Sequence, residues 1–353
     1  MSIAAGFVAR LLGLAAVLLP LVAQAQTEAV FDMGRYTFEN GSEIPSTTVG
    51  FVTWGKLNEA KDNGILLVPG TSGSRHSYDA YIGPGKAYDT DKYFVVAADP
   101  IGGGNSSQPK DELGTRFPDY TIRDMVRVQH EFVTRGLGLT RLLAVGGSSM
   151  GSFQGVEWGI NFPDFMRGLI LIVPAARSDN HFGTICDAFF AMITLDSNFQ
   201  GGAYTTNPAE GIRRAALVYF PWTSSDDFLA TLDPAALAKA QQEAGDAWVR
   251  AWDANGMMSR YKASRLHDAS KPFGGNMTTA LGQIKAKALL MPSMTDRTVP
   301  GYLTRELYKG LREASYAEIP SIRGHSAGSA PPGTAEYVYI TERMRAFLDS
   351  LGS

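Results

Sequence analysis

The chain has 353 residues, which is long enough for one large domain with an insertion or for two domains. Its formal net charge is −3 at pH 7 and its lysines and arginines are not clustered, which excludes the electrostatic footprint of a nucleic-acid-binding protein. Cys186 is the only cysteine, so no intramolecular disulfide can form, and no C-x-x-C, H-E-x-x-H or EF-hand pattern predicts a metal or a cofactor.

The first 25 residues have the pattern of a secretory signal peptide. An apolar run over residues 11–22 follows Arg10 and precedes Ala23-Gln24-Ala25, a cleavage site of the A-x-A type. The competing interpretation is a membrane anchor, but the run is short for a span across a bilayer. We therefore expect cleavage after Ala25, export to the periplasm or the medium, and no stable membrane insertion of the mature chain.

Beyond the signal peptide, short apolar runs alternate with helical segments. Residues 36–38 and 47–54 are predicted strands, and the turn residues 39–42 between them favour antiparallel pairing. The other predicted strands are apolar runs without alternation, at 65–69, 93–98, 142–145, 169–173, 288–294 and 316–319. Such runs, separated by helices, are typical of a mostly parallel α/β sheet that is covered by helices on both faces.

Residues 177–285 differ in character because helical segments replace the strands there, at 185–194, 208–219, 225–232 and 234–252. We predict a helical cap that lies over the carboxyl edge of the sheet and interrupts a core formed by residues 26–176 and 286–353. Several aromatic residues of the cap are candidates for the wall of an apolar acyl pocket, and packing within the cap is the competing interpretation: Phe189, Phe190, Tyr219, Phe220 and Trp222.

The segment Gly147-Ser148-Ser149-Met150-Gly151 lies between the strand at 142–145 and a helical segment. In that setting the pattern G-x-S-x-G predicts a nucleophile elbow, a sharp turn that exposes a serine hydroxyl at the end of a buried strand. Only Ser149 fits, because the pattern centred on Ser148 would require glycine at position 150. The competing interpretation is a glycine-rich turn with surface serines.

A serine nucleophile needs a base, usually a histidine oriented by a carboxylate, and in this type of fold the chain order is serine, acid, histidine. Of the five histidines, only His325 follows the last predicted strand. Asp296 directly follows the strand at 288–294, whereas Asp179, after the strand at 169–173, is the rival acid. We predict a triad of Ser149, Asp296 and His325.

Acyl transfer also requires hydrogen-bond donors for the negative charge that develops on the carbonyl oxygen. The backbone N–H of Met150, at the start of the helix after the elbow, is one candidate. The loop 70–73 follows the strand at 65–69, and the N–H of Thr71 is the second candidate. A plain turn explains the composition of this loop equally well, so this prediction depends on the elbow.

With these residues in place, the chain resembles the homoserine O-acetyltransferase family of α/β-hydrolases. The resemblance implies the α/β-hydrolase fold, a helical cap between two halves of the core, the triad Ser149, Asp296 and His325, and often a homodimer formed through the caps. The matching motifs span nearly all of the mature chain and include Ile82-Gly83-Pro84-Gly85-Lys86-Ala87, Thr121-Ile122-Arg123-Asp124-Met125-Val126, the elbow, Ala175-Ala176-Arg177 and Asp253-Ala254-Asn255.

Three departures from that family pattern bear on function. Ser148 and Ser152 replace two glycines of the family elbow, and the loop 102–107 lacks the family's Cys-Tyr version. Ser326 stands where the family has an aspartate that engages the ammonium group of the amino-acid substrate. Without that partner, homoserine has little reason to bind. Export also separates the chain from acetyl-CoA, a cytosolic cosubstrate.

We therefore expect an exported serine hydrolase that cleaves an ester, or an amide or lactone, of a small to medium substrate, with no cofactor, metal or nucleic acid involved. The first alternative is an acyltransferase that passes the acyl group to an alcohol or amine. The second is a non-catalytic binding protein that uses the same pocket, and the intact set of serine, acid and histidine argues against it.

Overall fold

The computed structural model describes residues 26–111 and 113–352, and the predicted signal peptide lies outside these described residues. Eight strands form one sheet in the order β1-β4-β6-β5-β7-β8-β9-β10, and β2 and β3 form a separate pair. The strands are β1 Thr27–Asp32, β2 Tyr36–Thr37, β3 Glu43–Ile44, β4 Thr48–Trp54, β5 Gly64–Val68, β6 Phe94–Ala98, β7 Leu142–Ser148, β8 Met166–Ile172, β9 Lys287–Met291 and β10 Ala314–Tyr316.

The sheet is parallel from β6 through β5, β7, β8 and β9 to β10, and antiparallel only where β4 pairs with β1 and β6. Helices cover both faces, which confirms the predicted fold class. The helices are α1 Ile122–Glu131, α2 Met150–Asn161, α3 Asn180–Thr194, α4 Ala209–Thr223, α5 Asp226–Ala230, α6 Pro234–Ala251, α7 Ala254–Arg265, α8 Met277–Leu281, α9 Gly301–Gly310 and α10 Ala335–Leu351.

The predicted pairing of residues 36–38 with 47–54 is wrong. The turn 39–42 does close a hairpin, but the partner of β2 is the short strand β3, with Tyr36 opposite Ile44. The strand β4 pairs instead with β1, which the sequence did not reveal. The side chains of β1 are almost all exposed, so this edge strand lacks the apolar pattern by which buried strands are recognised.

The apolar core lies on both faces of the sheet. The central strand β5 is buried along its whole length, as expected for a strand with helices above and below. Helices α1 and α2 pack on one face, and α10 packs on the other against β8 and β9. Within the part of the chain that the structure describes, no helix is both long and apolar enough to span a membrane.

Residues 173–286, all of them described, contain the six helices α3 to α8 and no strand. Two of these, α7 and α8, lie beyond the helical segments that the sequence indicated. The cap helices bury a separate apolar cluster around Phe189, Tyr219 and Tyr261. Cys186 is fully buried in this cluster, and burial raises the pKa of its thiol, so it serves packing rather than redox chemistry.

Candidate active site

The chain turns sharply between β7 and α2, and Ser149 occupies this turn with φ = 56° and ψ = −122°. A positive φ is strained for a residue with a side chain and costs roughly 1–3 kcal/mol. The flanking glycines make the turn possible. A Cβ on Gly147 would overlap the backbone of Gly151, and a Cβ on Gly151 would overlap the carbonyl oxygen of Val68. The pattern G-x-S-x-G thus forms the strained turn that its spacing predicts.

The side chains of Ser149, His325 and Asp296 form a continuous hydrogen-bonded chain. The Nε2 atom of His325 lies 2.9 Å from the Oγ of Ser149, and its Nδ1 atom lies 2.6 Å from the Oδ2 of Asp296. With the proton on Nδ1 and donated to the carboxylate, Nε2 is free to accept the serine proton. The structure therefore brings the three predicted triad residues together.

The carboxylate of Asp296 is fixed by its own loop and is fully buried. Its Oδ1 atom accepts hydrogen bonds from the backbone N–H groups of Thr298 and Val299, at 2.8 and 2.9 Å. These bonds leave Oδ2 for His325. The side chain of His325 remains 14% exposed, so the buried carboxylate and the accessible imidazole suit the roles of an orienting acid and a working base.

The rival acid, Asp179, has a different position. It caps the N-terminus of α3, where its Oδ1 accepts a hydrogen bond of 3.0 Å from the N–H of Phe182. Its Oδ2 accepts a hydrogen bond from the hydroxyl of Tyr302. Both carboxylate oxygens are engaged away from His325, so the geometry favours Asp296.

The two predicted donors for a carbonyl oxygen flank Ser149. Met150 is the first residue of α2, where backbone N–H groups have no acceptor within the helix. Thr71 follows Gly70, at which a Cβ would lie 3.1 Å from the carbonyl oxygen of Ser148. The loop at 70–73 thus passes directly over the end of β7, as a second donor requires.

A buried arginine of the cap supports this loop. The Nη1 atom of Arg260, in α7, donates a hydrogen bond of 3.0 Å to the carbonyl oxygen of Gly73. Its guanidinium stacks on Trp252 with Cζ 4.2 Å from the ring centroid, and burial lowers its pKa to about 10. A Cβ on Gly103 would lie 2.7 Å from Cζ of Arg260, so this glycine leaves the space that the arginine fills.

The sequence did not identify Arg260. The one signal in the sequence is the run of glycines at 102–104, where Gly103 leaves room for the guanidinium. The sequence did not identify Tyr78 either. Its hydroxyl accepts a hydrogen bond of 2.9 Å from the N–H of Ser148 and donates one of 3.0 Å to the carbonyl oxygen of Val68. Tyr78 therefore fixes the end of β7 just before Ser149.

The main cavity at the site has a volume of about 170 Å³ and includes Ser149 and His325 in its lining. None of the described residues that line it is an aspartate, glutamate, lysine or arginine. Hydroxyl groups and aromatic rings predominate, and the tyrosines are Tyr78, Tyr81, Tyr219 and Tyr261. The cavity is therefore suited to an uncharged group that carries hydrogen-bonding atoms.

Of the five cap residues proposed as the wall of an acyl pocket, only Tyr219 lines this cavity. Phe189 is fully buried in the cap cluster, where its ring contacts Phe190 and Tyr261. The ring of Trp222 faces Arg297 on another side of the cap. These aromatic residues mainly pack the cap, because a helical layer of this size needs a core of its own.

A second, much smaller cavity of about 10 Å³ also borders Ser149 and Thr71. His325 does not line it, and its apolar walls are Phe153, Phe182, Val299 and Leu303. A volume near 10 Å³ is on the order of one water molecule. Ser149 thus faces a larger space that His325 also lines and a smaller one that His325 does not line.

A buried pair of titratable groups lies behind the elbow. His267 is stacked on Phe153 with the ring centroids 5.1 Å apart, and its Nδ1 lies 3.7 Å from the Oε1 of Glu157. Burial lowers the pKa of His267 to about 3 and raises the pKa of Glu157. Both shifts disfavour the charged forms, and a pKa of about 3 leaves His267 uncharged at neutral pH, so the contact is not an ion pair there.

We expect His267 to make the fold sensitive to acid. Its folded pKa of about 3 lies below the unfolded value near 6.5, so only the unfolded chain binds its proton in that window. The free energy of unfolding should then fall by about 2 kcal/mol between pH 7.5 and pH 5 from this group. Urea denaturation of His267→Gln should show a smaller decrease in the free energy of unfolding over this pH range than the unmodified protein shows. Equal decreases in the two proteins would contradict this role of His267.

Within the described ranges there is no group of three or more histidine, cysteine, aspartate or glutamate side chains that could hold a metal ion. The chemistry available from the described residues is that of a serine hydroxyl, an imidazole and a buried carboxylate. A parallel sheet, a strained serine between strand and helix, and an acid and histidine from later loops together define an α/β-hydrolase.

The comparison with known families agrees with this class. The profile described as alpha/beta hydrolase fold matches residues 63–327, so the chain belongs to the α/β-hydrolase family. Within it, the chain is a member of the homoserine O-acetyltransferase-like group. Homoserine O-acetyltransferase of Carboxydothermus hydrogenoformans is 30% identical over 336 residues, which cover 82% of this chain and 88% of that protein.

Other relatives carry hydrolase names. Ethyl acetate hydrolase of Pseudomonas veronii is 30% identical over 310 residues, covering 84% of this chain and 88% of that protein. An acetylester hydrolase from Corynebacterium glutamicum has a TM-score of 0.85 at 26% identity, with coverage of 92% of this chain and 96% of that one. Homoserine O-acetyltransferase from Bacillus anthracis has a TM-score of 0.81 at 25% identity, with coverage of 92% of this chain and 98% of that one. The family therefore includes both esterases and acetyltransferases.

Proposed function

We propose that this protein is an exported serine esterase that hydrolyses short-chain esters of uncharged alcohols through an acyl-enzyme. The observation that carries the proposal is the hydrogen-bonded chain from Ser149 through His325 to Asp296, at the edge of a cavity without charged lining residues. The relatives named as ethyl acetate hydrolase and acetylester hydrolase support hydrolysis as the reaction. The predicted signal peptide is the basis for export.

In this mechanism the Oγ of Ser149 attacks the ester carbonyl carbon while Nε2 of His325 takes the hydroxyl proton. Asp296 stabilises the resulting imidazolium, and the N–H groups of Thr71 and Met150 bind the oxyanion. The imidazolium then gives its proton to the alkoxy oxygen, and the alcohol leaves. A water molecule, deprotonated by His325, attacks the acyl-enzyme and regenerates Ser149.

The two cavities support a different position for each half of the ester. His325 must reach the leaving oxygen to protonate it, so the alcohol portion occupies the larger cavity, which His325 lines. The acyl chain then points away from His325, into the cavity of about 10 Å³ bounded by Phe153, Val299 and Leu303. A space of that size accepts little more than the methyl group of an acetyl ester.

We expect p-nitrophenyl acetate to be hydrolysed with a kcat/KM at least about 100-fold higher than p-nitrophenyl hexanoate, because each methylene that does not fit costs roughly 1–3 kcal/mol. Val299→Ala should narrow this ratio by enlarging the small cavity. Val128→Ala is the matched control, because it removes the same atoms from a buried site in α1 that lines neither cavity. Equal rates for both esters in the unmodified protein would contradict the assignment of the acyl side.

Acyl transfer is the second candidate, and the names of the acetyltransferase relatives favour it. Homoserine carries an ammonium and a carboxylate, and such charges need partners when they leave water. The main cavity offers none among its described lining residues, and Arg177 and Asp179 border only the small cavity. Product analysis with and without added alcohols or amines separates hydrolysis from transfer. Acetylation of homoserine by acetyl-CoA would overturn the esterase proposal.

A further inference from the structure

One segment of the cap, residues 222–228, contacts both loops that carry the acid and the base. It runs from the last residues of α4 into α5, and α4 ends at Thr223, so its final carbonyl groups lack N–H donors within the helix. Hydroxyl groups from the two catalytic loops donate hydrogen bonds to these carbonyl groups instead. Thr298 Oγ1 donates to the carbonyl oxygen of Trp222 at 2.9 Å, and Ser326 Oγ donates to that of Thr223 at 3.1 Å.

Both donors are coupled to the catalytic groups through very short connections. The N–H of Thr298 donates to the Oδ1 of Asp296 at 2.8 Å, while its side chain holds the cap. Ser326 is the next residue after His325. Each of the two catalytic side chains is therefore within two residues of a hydroxyl that is bonded to the same turn of the cap.

The 222–228 segment also makes one cation–π contact to each loop. The guanidinium of Arg297, next to the acid, lies with Cζ 4.9 Å from the ring centroid of Trp222. The guanidinium of Arg323, in the histidine loop, lies with Cζ 4.8 Å from the ring centroid of Phe228. Contacts of this type are attractive because the face of an aromatic ring carries partial negative charge. The same pattern, a hydroxyl and an arginine, thus joins each loop to the segment.

In the histidine loop the two backbones come close together. Gly324 has φ = +64°, and a Cβ at this position would lie 2.7 Å from the carbonyl carbon of Ser224. The hydroxyl of Ser225 donates to the carbonyl oxygen of Ile322 in the same loop. Only a glycine at 324 permits this approach, so the sequence Gly324-His325 places the base against the cap as well as against the acid.

We propose that the 222–228 segment positions the acid–base pair. Thr298 and Ser326 are the positioning residues, and they hold Asp296 and His325 in the orientation in which the two side chains form their hydrogen bond. The acid and the base come from loops after two different strands, and the segment provides a common support for both. This inference rests on the proposed function of the triad. It assigns a catalytic purpose to the cap in addition to its cover over the cavity.

The test is steady-state hydrolysis of p-nitrophenyl acetate by Thr298→Val, Ser326→Ala and the double variant. Each single variant should lower kcat by about threefold to tenfold with little change in KM, because the loss of one hydrogen bond loosens the pair. Valine keeps the shape of Thr298 where this residue borders the small cavity. The double variant should lose about 10- to 100-fold. Thr298→Ser and Ser326→Thr, which keep the hydroxyl groups, should recover most of the activity.

Thr231→Val is the matched control, because Thr231 Oγ1 donates to the carbonyl oxygen of Phe228 at 2.7 Å and, among the described residues, has no hydrogen bond to either catalytic loop. Its kcat should stay within about twofold of the unmodified protein, since only an exposed bond is lost. An unchanged kcat in the double variant would overturn the proposal, and so would losses that the hydroxyl-retaining variants fail to reverse. Failure of the proposed function itself looks different, because Ser149→Ala would then retain activity.

Discussion

Ser149→Ala is expected to lower kcat/KM for ester hydrolysis by a factor of about 10⁴ or more, because removal of the nucleophile leaves only binding and oxyanion stabilisation. The serine Oγ is the atom that His325 contacts at 2.9 Å, and alanine offers no group to which the imidazole could bond. The measurement is the rate of p-nitrophenolate release from p-nitrophenyl acetate at saturating and limiting substrate.

Ser148→Ala provides the matched control, since it removes the same atom one residue earlier in the elbow. Ser148 also borders the main cavity, but it has no hydrogen bond to His325 in the described structure. We expect less than about a tenfold loss of activity for this variant. If Ser148→Ala were inactive and Ser149→Ala active, the register of the elbow would be wrong.

Asp296→Asn is expected to lower kcat by about 10³- to 10⁴-fold while the fold stays intact. The amide can still accept hydrogen bonds from the N–H groups of Thr298 and Val299 through its oxygen, but its NH₂ group then faces Nδ1 of His325. The imidazole would be held in the tautomer whose Nε2 carries the proton and cannot act as the base.

Asp179→Asn tests the competing acid under the same conditions. Asparagine also caps helices well, so the N-terminus of α3 keeps its partner for Phe182 N–H. We expect a change in kcat of less than about threefold, together with an unfolding temperature near that of the unmodified protein. A large loss of kcat in Asp179→Asn, with Asp296→Asn nearly unaffected, would overturn the assignment of the acid.

Much of the central architecture could be predicted because it is encoded locally. Strands buried on both faces are continuous apolar runs, and β5, β7 and β8 were recognised in this way. The elbow was recognised because its glycines have no substitute where Gly151 meets the carbonyl oxygen of Val68. Chain order then restricted the base to His325, since a histidine can join the serine only from a loop at the same edge.

The parts that could not be predicted depend on contacts between distant segments. The edge strand β1 has no apolar pattern because its side chains face solvent, and the hairpin turn was therefore assigned to the wrong partner. Arg260 lies 187 residues from the carbonyl group of Gly73 that it supports. A basic side chain in a cap helix gives no indication, by itself, that it will be buried beneath an active-site loop.

Ser326 illustrates how a departure from a family pattern gains meaning from the structure. In the sequence it signified only the loss of an aspartate that would bind an ammonium group. In the structure its hydroxyl donates to the carbonyl oxygen of Thr223, at the end of α4. Where the resemblance implies a charged group, this chain has a neutral hydroxyl that joins the histidine loop to the cap.

Covalent labelling with a fluorophosphonate probe tests the central claim most directly, because such probes phosphonylate only a serine that an adjacent base activates. Intact-mass analysis of the purified protein should show the addition of one probe molecule, and peptide mapping should locate it on Ser149. The label should be absent from Ser149→Ala and strongly slowed in His325→Ala. Absence of labelling in the unmodified, folded protein, or a label on another residue, would contradict the account.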